Sequence, residues 1–289
     1  MIKIVEHEEK VEKFYTIGSK VNLTGHDPNE LDIEYDGFLS FGYWENESDG
    51  YTDAAKRLLK FVIENSEVSK AEKILNVACG FGPESFEYFE HFKPDELVGI
   101  DIAKVHTDYA NMKAEKLGLA DKIKFVHGDA VALDFPDASF SHIIGIEGPA
   151  HFNTREKFFH SAARVLKQGG ELLLTDVILG EKFRRWNPIH QIVLRTGAKG
   201  WVVPMANGVK EDVYKKQLSD AGFEIVFMKK IGDKVFPGYS NSFNHEASKK
   251  TLKRMGMMTS IGFTFIGKML GYLYRKGFIE YIYMKARKK

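Results

Sequence analysis

At 289 residues the chain is long enough to bury a sizeable core, and 41 Lys and Arg against 40 Asp and Glu give it no broad pull toward nucleic acid. A single cysteine, Cys79, excludes an internal disulfide and a cysteine-built zinc site. The start MIKIVEHEEKVEK has no long apolar run, and the uncharged apolar stretch near the end, 255–267, falls short of the roughly 20 residues that span a bilayer, so a reduced, cytoplasmic protein is expected.

In chain order, FLSFGYWENESDGY (38–51) concentrates aromatic residues, including Tyr43, and the composition alone reads as core. Residues 52–66 carry Ala55, Leu58, Leu59, Val62 and Ile63 at helical spacing, with Thr52 as the expected cap. Apolar strands are expected at 73–77, 97–101, 123–127, 142–147 and 171–176, separated by helical stretches such as 104–118 and 154–167. Asn153 and Glu156 form a capping pair for the last of these helices, and QGG ends it. Nearly continuous apolar strands alternating with helices predict an α/β fold, a doubly wound and mostly parallel sheet. His127 and His142 fall in strands and read as core histidines. Past residue 178 two long connections flank the helix and strand at 213–228, and a final strand is expected within 278–287. Long insertions in such a fold are usually lids. With no linker or repeat in view, one domain spanning 1–289 is expected: an N-terminal helical cap (1–68), a core (69–178), caps at 179–217 and 231–276, and a last strand (277–289).

The stretch ILNVACGFGPES (74–85) joins a strand to a helix through a small-residue loop. It lacks the lysine of a Walker loop, and Pro83 or Ser85 stands where a dinucleotide fingerprint needs its third glycine. Gly80 and Gly82 turn the chain, and Pro83 suits the first turn of a helix. Asp101 ends the next strand, 21 residues beyond Gly80, where a carboxylate can accept ribose hydroxyls. Asp129, in HGDA after the third strand, can meet an adenine amino group. Together these describe an adenosine pocket without phosphates.

On LNVACGFG, VGID, HGDA with LDFPDASFSHI, and RVLKQGGELLLTD, the chain resembles the class I S-adenosylmethionine-dependent methyltransferases, in particular the small-molecule branch that methylates sterols, tocopherols and quinones. The resemblance is close over residues 40–180. Asn76 departs from it where an acid is usual, Ala78 where glycine is usual, and Ser141 where Asp is common. It implies a Rossmann-like seven-stranded sheet with the last strand antiparallel, S-adenosylmethionine as cofactor, and cofactor contacts at Ala78, Gly80, Gly82, Asp101, Ile102, Asp129, Ala130 and Glu147. Tyr43, in a GYW segment similar to one that folds over the cofactor in that branch, joins the set. The segment IEGPAHFN (146–153) is similar to the family's E-x-x-x-H pattern, which points to His151 as general base and Glu147 as its orienting partner or a cofactor contact. Either residue can equally be a cap or a structural hydrogen bond. No metal-ligand pattern is present, so no metal requirement is expected.

The N-P-P-[Y/F/W] segment of nucleic-acid amine methyltransferases is missing, and so is the cysteine that cytosine C5 chemistry requires near this point. The expected partner is a hydrophobic small molecule methylated at oxygen or carbon, with a small amine as the alternative and no nucleic acid. A nicotinamide oxidoreductase or a non-catalytic nucleoside-binding module are the readings from other classes. The cap at 235–275, with Met255, Met258, Phe263, Phe265, Met269 and Leu273, suits either ordinary core or an adaptable apolar pocket. The tail KARKK is a candidate for weak contact with anionic lipid.

Overall fold

In a computed structural model, residues 7–16, 37–46, 48–66, 68, 71–254 and 257–289 are described. Seven strands form one sheet: β1 (Lys73–Val77), β2 (Glu96–Asp101), β3 (Ile123–His127), β4 (Phe140–Ile146), β5 (Leu166–Leu179), β6 (Phe223–Lys230) and β7 (Ile279–Lys288). Their order is β3-β2-β1-β4-β5-β7-β6. β1 runs parallel to β2 and β4, and β4 parallel to β5, whereas β7 is antiparallel to both β5 and β6. The expected doubly wound sheet with an antiparallel last strand is therefore present. The chain steps outward from β1 to β3 and then returns to place β4 on the other side of β1. That reversal opens a crevice beyond the carboxyl ends of β1 and β4, the place where open α/β sheets bind ligands.

Ten helices surround the sheet among the described residues: α1 (7–16), α2 (Tyr51–Glu64), α3 (Pro83–Phe92), α4 (Lys104–Lys116), α5 (Arg155–Val165), α6 (Pro188–Gly200), α7 (Glu211–Asp220), α8 (Gly232–Ser242), α9 (Glu246–Arg254) and α10 (Met257–Arg275). One face of the sheet is covered by Phe158, Phe159, Tyr214 and Leu218 of α5 and α7, and the other by Leu59, Tyr88 and Ala110 of α2, α3 and α4. Both faces are apolar because every inner strand is buried on two sides, as the strand sequences require. α8, α2 and β7 share a further apolar cluster containing Leu58, Phe236 and Tyr283.

Helix ends depart from the sequence reading. α2 starts one residue early, with Gly50 as its cap, because Ala54 N already donates to Gly50 O at 3.0 Å; Thr52 lies inside the helix. α5 is capped by Thr154, whose Oγ1 accepts from Lys157 N, while Asn153 Nδ2 donates to Glu8 Oε1 at 3.3 Å. The same helix stops at Val165 because Leu166 is already extended and pairs with Phe140, so QGG falls inside β5. His127 is exposed where the edge strand β3 ends, with Nε2 donating to Ile102 O at 3.0 Å, whereas His142 is buried as expected. Part of the tail is tied into the sheet. Lys285 is 2 % exposed and donates to Ser66 O, while Arg287 pairs with Glu171 at the amino-terminal edge of the sheet, away from the crevice. Among the described residues no helix is long and apolar enough to cross a membrane.

One buried ion pair fixes α5 to the sheet and to the connection after β5. Arg155, 1 % exposed, places Nε 2.7 Å from Asp176 Oδ2 and Nη2 2.9 Å from Oδ1, and Nη1 donates to Asn207 O. Tyr214 Oη donates to the same carboxylate at 3.2 Å. Removing the cation leaves a buried charge without compensation, which costs more than the pair itself contributes. Arg155→Leu should lower the unfolding free energy by about 3–5 kcal/mol in urea titrations, and Arg155→Leu with Asp176→Leu should recover most of the loss.

Candidate active site

A cavity of about 230 Å³ occupies the crevice beyond the strand ends. Its floor is the β1–α3 loop. Gly80, at φ +53°, donates its N–H to Asp101 Oδ2 at 2.9 Å, and a Cβ there would meet only Leu39, so the backbone is open to a ligand. Asp101 also accepts from Ala103 N at 2.8 Å and lies 3.0 Å from His106 Nδ1. With three donors already placed on about four acceptor positions, one position on Oδ2 is left for a ribose hydroxyl rather than the two that the sequence suggested. Asp129 holds the η turn after β3 through Val131 N at 2.9 Å, and burial raises its carboxyl above the usual range.

Ala78, Gly80, Asp101, Ile102, Asp129, Ala130, Glu147 and His151 all line this one cavity. Gly82 and Tyr43 do not. Gly82, at φ +83°, caps α3, and a Cβ there would lie 2.7 Å from Phe125, so its smallness serves packing. The Tyr43 ring stacks on Phe61 at 5.1 Å, and the segment reaches the cavity through Phe41 instead. Trp44 seats this segment, donating Nε1 to Phe41 O at 2.8 Å while its ring lies against Gly238. Asn76, in place of an acid, donates to Ser85 Oγ at 2.9 Å, and Cys79 is a small buried side chain whose thiol burial pushes well up. Ser141 lies away from the cavity, accepting from Glu72 N and Lys73 N.

Glu147 follows β4 with φ +62°. Its Oε1 accepts from Phe41 N at 2.8 Å and from Tyr281 Oη at 2.7 Å, and Tyr281 in turn lies 2.9 Å from Thr175 Oγ1. Burial dominates and pushes the carboxyl up to about 8. His151 lies with Nε2 2.9 Å from Tyr15 Oη, and His7 Nε2 is 3.0 Å from its carbonyl. Burial holds its ring down at about 4, so it is neutral at pH 7, and its Nδ1 is buried without a hydrogen-bond partner. Three cavity residues were not singled out in the sequence. Glu84, on the first turn of α3, is pushed up to about 7 by burial. Tyr15 comes from α1, and Trp201, at the end of α6, has a buried Nε1 without a partner.

Five carboxyl groups (Glu8, Glu84, Asp101, Asp129 and Glu147) face this space, and among the described residues neither Lys nor Arg lines it. Among the described residues a pyrophosphate there would meet acids and no Lys or Arg. A ligand with an ammonium, a sulfonium and an adenosine fits this space better than a dinucleotide does, which favours S-adenosylmethionine. The comparisons agree. A sequence signature described as a methyltransferase domain matches residues 74–170. The chain is 29 % identical to erythromycin 3''-O-methyltransferase of Saccharopolyspora erythraea, over 75 % of this chain and 73 % of that one. It is 30 % identical to 27-O-demethylrifamycin SV methyltransferase of Amycolatopsis mediterranei, over 70 % and 76 %. It is 26 % identical to sterol 24-C-methyltransferase of Pneumocystis carinii, over 92 % and 70 %. The chain belongs to the class I S-adenosylmethionine-dependent methyltransferases. Its cofactor is S-adenosylmethionine, and among the described residues of this methyltransferase no group of His, Cys, Asp and Glu is arranged to hold a metal ion.

Two measurements check the geometry. Asp101→Ala removes the Gly80 partner and the ribose acceptor, each bond worth about 0.5–1.5 kcal/mol, so calorimetry should show S-adenosylhomocysteine binding weakened about tenfold or more; unchanged affinity would contradict the pocket. Because the Glu147 pKa is raised on folding, the native state holds an extra proton between the unfolded value of 4.5 and about 8. Its contribution to stability is therefore full below pH 4.5 and is lost as pH rises toward 8. Glu147→Gln keeps the neutral form, so the wild type should lose stability relative to this variant over that window, by up to about 1.4 kcal/mol per pH unit.

Proposed function

We propose that this methyltransferase transfers its methyl group to an oxygen or carbon of a hydrophobic small molecule. The observation that carries this reading is the split of the cavity: acids at the strand ends, and above them apolar walls from α6 and α10, including Val193, Leu194, Met269, Leu270 and Leu273. The relatives named for erythromycin, rifamycin and sterol support a bulky apolar acceptor. The unpartnered Trp201 Nε1 beside these walls offers a donor to an acceptor oxygen. Among the described residues no Lys or Arg lines the cavity to receive a phosphate, so an unphosphorylated acceptor is expected.

Bound S-adenosylmethionine supplies an electrophilic methyl group on a sulfonium. The chain's own part is alignment in a dry space, which can be worth roughly 7–11 kcal/mol. In this reading Ala78, Gly80, Asp101, Ile102, Asp129 and Ala130 hold the cofactor, Phe41 N and Tyr281 fix Glu147 beside it, and His151 is the general base. A neutral imidazole at pH 7 can take the proton that an acceptor hydroxyl or activated carbon releases. Tyr15 occupies Nε2 of that ring and has to yield or relay when an acceptor docks. The same reading takes 1–289 as one methyltransferase unit, with 179–217 and 231–276 as acceptor caps. It also sets the protein in the cytoplasm, where a lone thiol stays reduced.

Incubation with labelled cofactor and separated lipid and polar extracts tests the acceptor class. Label should enter the lipid fraction; label confined to polar amines would overturn the reading. With the acceptor in hand, His151→Ala should lower kcat by about 10²–10⁴-fold while S-adenosylhomocysteine affinity stays unchanged. Full turnover in that variant would remove the base assignment.

A further inference from the structure

We propose that the outward faces of α6, α9 and α10 dock the protein on an anionic phospholipid surface. The solvent side of α10 is a helical stripe of Met257, Ile261, Phe265 and Tyr272, between 50 % and 75 % exposed. On and just before α6, Trp186, Ile189 and Ile192 are 64–79 % exposed. A surface helix normally turns its polar side to water, and contiguous exposed apolar faces mark interaction sites. The two stripes belong to neighbouring helices: a Cβ on Gly197 would lie 3.6 Å from Met269, and one on Gly200 3.4 Å from Ile266.

Charge selects the partner. Residues 182–200 carry five basic residues and no acid, and residues 246–276 carry seven basic residues and one acid, Glu246. The chain as a whole is only +1, so the rest of it is net acidic. Lys250, Lys253, Lys268, Arg275 and Lys276 are exposed, and among the described residues the one ion pair to a carboxylate in these segments is Lys249 with Glu246. Apolar side chains rimmed by cations that are not neutralised by carboxylates fit the headgroup region of an anionic bilayer, where each cation near the surface adds attraction. A second copy of this chain would set the cationic rims against each other and fits less well. The inner sides of α6 and α10 line the cavity, so docking places its roof against lipid. Delivery of an acceptor dissolved in that lipid rests on the hydrophobic-acceptor reading; docking itself needs no particular acceptor.

Sedimentation of the full chain with vesicles tests docking without any acceptor. The protein should pellet with vesicles rich in phosphatidylglycerol, much less with phosphatidylcholine alone, and less again at high salt, since screening weakens exposed charge attraction. Phe265→Glu and Ile189→Glu should each weaken binding at least about tenfold, with melting temperature and S-adenosylhomocysteine affinity kept. Lys250→Glu with Lys253→Glu, changes on an exposed helix, should do the same without touching the apolar stripe. Equal binding to both vesicle types, or none, overturns the proposal. So does a wild-type dimer in light scattering that Phe265→Glu dissolves, which would assign the face to a second copy.

Discussion

Glu147 is a carboxyl group buried where three separate parts of the chain meet, and that constraint organises the site. The carboxyl belongs to the turn after β4, one of its hydrogen bonds comes from the backbone of Phe41, and the other from Tyr281 on β7. Burying such a group without partners costs several kcal/mol. The N-terminal segment must therefore cross the strand ends, and the antiparallel last strand must present a tyrosine toward them. Phe41 is in turn kept in place by Trp44, whose ring occupies the space that a side chain at position 238 would need. The cost of one buried acid is thus offset by contacts reaching from residue 41 to residue 281.

Electrostatics divide the molecule along its ligand axis. Acids gather at the carboxyl ends of β1, β2 and β4, where a cationic cofactor with no phosphate fits, and bases gather on the helices that roof the cavity. A nearly neutral total conceals this separation, so net charge alone excluded nucleic acid but said nothing of the outer face.

The sheet was legible because buried parallel strands read as apolar runs; β1 and β3 match their expected bounds residue for residue. Asp101, which ends β2, and Asp129, two residues past β3, were picked out because they fall where strands give way to the crevice. Caps were not. Gly50 replaces Thr52 and Thr154 replaces Asn153 because backbone carbonyls and a distant glutamate decide which residue closes the helix. Tyr15, Trp201 and Tyr281 were invisible for a different reason. Each lies in a segment whose local pattern is ordinary, and only the crossing of α1, α6 and β7 over the strand ends brings them together, whereas Glu84 sits inside the 74–85 stretch, which was read for its glycines and proline. Tyr43 shows the converse: its segment was singled out and reaches the cavity through Phe41, but Phe61 offered the Tyr43 ring a stacking partner outside it.

The roof differs from the floor in what holds it. Each strand is tied to its neighbours by a backbone ladder, so opening the floor would break many hydrogen bonds at once. α1 meets the site through a few side-chain contacts, Tyr15 and His7 on His151 and Phe14 against Phe263 of α10. α6 and α10 bury one side of each helix and leave large apolar groups outside. Local opening free energy follows buried contact and hydrogen bonding, so these helices are the low-cost part to move. Any movement of α1 would also disturb Tyr15, which holds the His151 ring through Nε2. The part of the cavity wall that is cheapest to move thus includes the helix whose tyrosine holds the His151 ring.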